Sequence, residues 1–105
     1  MVVMARRVHR YWASSRKATE GDYVKLTAKQ QFAIDLAVAE QYGRMAHEAG
    51  HARVPAFDAD YNALRRTYDA GISFGSPGWS EACIATTKLG MAWLRGWDQS
   101  RAKAA

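Results

Sequence analysis

The run His47-Glu48-Ala49-Gly50-His51 has the form H-E-x-x-H, the one motif in this chain that spells out a catalytic chemistry. On a continuous helix, positions i and i+4 bring two imidazoles onto one face. There they can hold zinc while the glutamate polarises a bound water. Four features oppose that zinc peptidase reading. Gly50 and Pro55 mark the end of a helix, so His51 is expected beyond the C-cap, not one turn above His47. A third ligand would have to come from His9, Asp58, Asp60 or Glu81, none of which stands in a ligand context of its own. Arg53 occupies a position where the helix of a zinc peptidase continues apolar. A chain of 105 residues leaves little room for a substrate cleft beside a core. The expectation is no metal and no cofactor, with His47 and His51 as histidines near a helix end, where the imidazolium is mildly favoured by the helix dipole.

The other reactive residue types are explained by structure. Cys83 falls on a predicted core helix and reads as a buried thiol rather than a nucleophile. Asp58 and Asp60 read as helix-start acids, not as an acid–base pair. Gly71, Gly75 and Gly78 lack the following Lys-Ser/Thr of a phosphate loop. Catalysis therefore has no foothold, and the chain reads as a binding protein and not an enzyme.

Charge placement points to what it binds. The net charge is +5. Residues 1–29 hold seven basic and two acidic side chains, a net of +5, whereas residues 30–105 hold eight of each. A charge-balanced body thus carries a cationic arm, in which Arg6, Arg7, Arg10, Arg16 and Lys17 interleave with His9, Tyr11 and Trp12. Such an arm suits a polyanion such as RNA or DNA, and otherwise serves solubility. A single cysteine cannot form an internal disulfide, which favours a reducing, cytoplasmic setting. The start of the chain has too short an apolar run, in the wrong order relative to Arg6 and Arg7, for a signal peptide. No window approaches the roughly 18 apolar residues of a membrane span.

These residues need elements to position them. With 49% apolar residues the chain can build one core. The pattern is mainly α: a small domain of about three helices over 27–105, preceded by a basic arm or short hairpin over 1–26. Thr27-Ala28-Lys29-Gln30 is a capping box that opens the first helix, which Gly50 closes. Asp58 caps a second helix to about Ala70, with Tyr61, Leu64 and Tyr68 on one face. A third runs from Ser76–Trp79 to about Lys103 with the stripe Ala82, Thr86, Leu89, Trp93 and Trp97. Gly90 and Gly96 each cost about 1 kcal/mol relative to alanine and read as points of close backbone approach, with a break at Gly90 as the alternative. Trp93 and Trp97 belong to the core, and Trp12 and Trp79 are left for partner contact.

Tyr68-Asp69-Ala70-Gly71-Ile72, a glycine-rich connector, and Trp93-Leu94-Arg95-Gly96-Trp97-Asp98 together resemble the ribosome modulation factor family and its relatives in phages and other mobile elements. Gly43-Arg44-Met45-Ala46, Ala49-Gly50 and Arg53-Val54-Pro55-Ala56-Phe57-Asp58 are similar to members of the phage-type group. The resemblance covers roughly residues 42–101. It implies a compact helix pair around the tryptophans, binding to the small ribosomal subunit and damping of translation. Here the matched region is charge-balanced and lacks the family's cysteine–proline–tyrosine element. Any retained RNA contact therefore falls on Arg65, Arg66, Lys88, Arg95, Arg101 and the arm. Fold alone does not carry function. The expectation is a non-enzymatic regulator that docks on an RNA-containing machine, the ribosome by implication. The alternative is a phage-type inhibitor of a host defence complex, anti-CRISPR-like, using Trp79, Asp58, Asp60 and Asp69 for protein contact. The zinc peptidase comes third. Self-association through an apolar face is compatible with all three.

Overall fold

The computed structural model describes residues 25–105. The arm or hairpin expected over 1–26 lies outside them, apart from Lys25 and Leu26. Three α-helices account for most of the described chain: α1 (Ala28–Glu48), α2 (Ala59–Asp69) and α3 (Trp79–Ala104), with a 3-10 turn at Pro55–Phe57. The small, mainly α architecture is as the sequence predicts. No described helix is long and apolar enough to cross a membrane.

Local chemistry sets the helix boundaries. Thr27 and Gln30 make both bonds of the capping box: the Gln30 N–H donates to Thr27 Oγ1 at 3.1 Å, and the Thr27 N–H to Gln30 Oε1 at 2.9 Å. At the other end Gly50 adopts φ +82°, which lets its own N–H reach the His47 carbonyl and the His51 N–H reach that of Ala46. This paired closure satisfies the last carbonyls of α1. Helix α2 starts on Asp58, whose Oδ1 accepts from the Asp60 and Tyr61 N–H groups at 3.0 and 3.1 Å. Helix α3 runs through Gly90 without interruption.

Helices α1 and α3 form the main pair, and α2 packs chiefly on α3. Glu40 meets Gly96 and His47 meets Ser100, so the two long helices run in the same sense past each other. Their backbones touch at two glycines. A Cβ on Gly43 would sit 1.9 Å from the Trp93 carbonyl oxygen, and one on Gly96 1.9 Å from that of Glu40. Gly96 is the close approach the sequence predicts. Gly90 is not, since its Cβ would meet only the Tyr61 hydroxyl at 3.2 Å. Around this crossing lie Ala39, Tyr42, Ala46, Leu64, Leu89 and Trp93, all buried. Trp97 packs on the cluster at half-burial.

One expectation needs correction. Cys83 is exposed rather than buried, because the inward face of α3 passes through Ala82 and Leu89 and leaves its neighbour outside. The core also takes in a carboxylate. Asp35 is 1% exposed and accepts hydrogen bonds from the Gln31 side chain at 3.1 Å and from the Tyr68 hydroxyl. Its position one turn from Phe32 and Ala39 on the apolar stripe of α1 was the available signal. A buried carboxylate survives where hydrogen bonds replace its lost water.

Candidate interaction surface

The H-E-x-x-H residues do not share a helical face. Helix α1 ends at Glu48, and His51 lies past its closing glycine. His47 stays on the helix but turns toward α3: its Nδ1 is 2.8 Å from Ser100 Oγ, and its ring stands edge-on to Trp97 at 4.8 Å. His51 is exposed, and its carbonyl accepts from Trp97 Nε1 at 3.1 Å. A recess of about 240 Å³ opens beside it, lined by Ala46, Val54, Phe57, Asp58 and Trp93. Both Asp58 oxygens are engaged there, Oδ2 accepting from Trp93 Nε1 at 2.8 Å. Among the described residues no three His, Cys, Asp or Glu side chains gather as a metal site.

The predicted contact residues scatter. Arg6, Arg7, Arg10, Trp12, Arg16 and Lys17 lie outside the described residues. Arg65 pairs with Asp69 one turn on, at 3.3 Å. Arg95 donates to Glu40 at 2.9 Å, and Arg44 grips the other Glu40 oxygen at 3.1 Å. Arg53 forms a two-point fork with Asp98, both bonds 2.7 Å. These pairs bind body charges to one another. Of the acids expected in a protein-contact surface, Asp69 is paired with Arg65, and Asp58 is held by its cap bonds and the Trp93 indole. Arg66 and Lys88 are exposed and make no ion pair among the described residues.

The Glu40 cluster carries a pH dependence. The Arg95 hydrogen bond, then that of Arg44, holds the Glu40 carboxyl below its ordinary range, against a smaller upward push from burial. A carboxylate depressed in the folded state adds stability above its unfolded pKa and loses it as pH falls through the folded one. Both arginines face solvent, so the contribution is roughly 0.5 to 1 kcal/mol. Wild type is expected to melt above Glu40→Gln at neutral pH, with the gap closing as pH drops below the carboxylate range. Thermal melts across pH read this directly; a gap that persists in acid contradicts it.

Apolar exposure supplies what sequence reasoning missed. Phe74 is 86% exposed and stands edge-on to the half-buried Trp79 at 4.7 Å. Phe57, Ile84 and Met91 are 81%, 57% and 58% exposed. An open groove of about 480 Å³ lies between the start of α1, the end of α2 and the first half of α3. Its floor and wall are Phe32, Tyr68, Ala82, Ile84 and Ala85. The sequence signal was Ile84, an isoleucine off the Ala82–Leu89 stripe. A shallower depression over Met91 and Leu94 is bordered by Arg53 and Arg95, both already ion-paired. Compared with known proteins, the chain matches no family model, no curated protein and no solved structure.

Proposed function

We propose that this is a small non-enzymatic regulatory protein of the cytoplasm that docks on an RNA-containing machine. The resemblance of Tyr68–Ile72 and Trp93–Asp98 to the ribosome modulation factor family makes the ribosome the first target to test. One observation carries the reading: positive charge is concentrated ahead of a body that neutralises its own. Arg44, Arg53, Arg65 and Arg95 are spent on internal ion pairs. The excess cations belong to residues 1–29. Arginines of that arm would contact phosphates, which positions a protein on RNA without reading sequence.

Such binding is salt-sensitive, because each neutralised phosphate releases counterions. Affinity for ribosomal subunits or RNA is expected to fall at least about tenfold between roughly 50 and 200 mM salt. Arg6→Glu, Arg7→Glu and Arg10→Glu together should weaken it and flatten the salt slope. Filter binding at several salt concentrations measures both. Affinity indifferent to salt removes the basis of the proposal.

Inhibition of a host defence complex by protein–protein contact is the second reading. It is favoured by the exposure of Phe57, Phe74, Ile84 and Met91. Association with a protein complex that survives nuclease treatment and high salt would select it over RNA docking.

A further inference from the structure

We infer that the groove between α1, α2 and α3 is a docking site for an acidic amphipathic helix of a protein partner. The inference does not depend on the RNA reading.

Shape comes first. The groove follows α3 through Gly78, Glu81, Ala85 and Lys88. At 1.5 Å per residue that is about 15 Å, the length of roughly ten helical residues. Its lining is apolar except at the rim, which suits a helix that lays one apolar stripe into a groove and keeps its polar flank outside. Phe32 and Tyr68, edge-on at 5.5 Å, give the floor a rigid aromatic surface.

Charge selects the partner. Lys29 and Lys88 line the groove, and neither has an ion-pair partner among the described residues. Elsewhere on the body, arginines beside a depression are neutralised by Asp98 or Glu40. Two helix N-termini also border the groove. Helix α1 enters through Ala28 and Lys29 with no acid in its first turn, and α3 starts on Gly78, which offers no side-chain cap. The Thr27–Gln30 capping box already closes the start of α1 and Glu81 stands in the first turn of α3, so the positive charge of the rim comes from Lys29 and Lys88. Glu81 is the lone carboxylate of the lining. An apolar stripe flanked by glutamates or aspartates matches this rim, and one flanked by lysines does not.

The test uses the full chain and two labelled synthetic helical peptides. Both carry leucines at i, i+4 and i+7; one has flanking glutamates, the other lysines at the same places. Fluorescence anisotropy is expected to show the glutamate peptide binding at least tenfold tighter. Ile84→Glu should weaken it at least tenfold with an unchanged melting temperature, since Ile84 is exposed. Lys29→Glu with Lys88→Glu should reverse the preference between peptides. Equal affinity for the two peptides, or binding indifferent to Ile84→Glu, overturns the inference. So does loss of oligouridine binding in Ile84→Glu, which would make RNA the occupant. Dimerisation abolished by Ile84→Glu would make a second copy the occupant. Stronger peptide binding after Tyr11→Ser and Trp12→Ser would assign the groove to the chain's own arm. Weaker RNA binding after reversal of Arg6, Arg7 and Arg10, with peptide binding intact, keeps this site and the arm's function separate.

Discussion

Gly43→Ala and Gly96→Ala are each expected to destabilise the protein by roughly 3 kcal/mol, the upper end of what overpacking costs. On an ordinary exposed helix the same change would stabilise by about 1 kcal/mol, because alanine forms helix better than glycine. The sign reverses here because the new Cβ would lie 1.9 Å from a main-chain oxygen of the facing helix. A backbone carbonyl cannot rotate aside as a side chain can. The α1–α3 pair would have to separate and loosen the packing of Trp93, Tyr42 and Ala46. Gly90→Ala is the control: its Cβ meets only the Tyr61 hydroxyl, at 3.2 Å, so a near-neutral result is expected. Urea titrations should show lower midpoints for the first two with an unchanged slope. Two neutral or stabilised variants would mean the helices do not cross at these residues.

The second large effect concerns Asp58, whose carboxylate serves two elements. Oδ1 caps α2, and Oδ2 receives the indole N–H of Trp93, the largest fully buried side chain among the described residues. Asp58→Ala removes a cap worth about 1 kcal/mol. It also strands an indole donor, which costs about 1 to 3 kcal/mol when no partner replaces it. The recess of about 240 Å³ beside both residues can admit water to that donor, which favours the lower figure. A total near 2 kcal/mol is expected. Trp93→Phe loses the donor and some packing, and Asp58→Ala added to it should cost only the cap. Chemical denaturation of the four-member cycle should therefore give a coupling of about 1 kcal/mol or more. Strict additivity would show that the Asp58–Trp93 bond contributes nothing to stability.

The helix ends were legible from sequence because the forces that set them act over three or four residues. Thr27 with Gln30, Gly50 and Asp58 each meet backbone groups of their own turn, and each does what its type and spacing predict. The same locality disperses the H-E-x-x-H motif, since a closing glycine between the histidines ends the shared face. The stripe through Ala82, Leu89 and Trp93 was legible in the same way.

The composition and order of residues by themselves determined three helices, two of them opened by side-chain caps, a tryptophan-centred core and a charge-balanced body behind a cationic leader. Only the tertiary structure decided how the helices meet. Gly43 and Gly96 lie 53 positions apart, and although Gly96 reads as a close approach, nothing in either helix alone says which backbone meets it. That crossing fixes the rotation of α1 and α3. Rotation in turn exposes Cys83 and Ile84, buries Asp35 against Tyr68, and brings Arg95 to Glu40. Caps are satisfied inside one turn, whereas burial and ion pairing depend on which surfaces distant segments bring into contact.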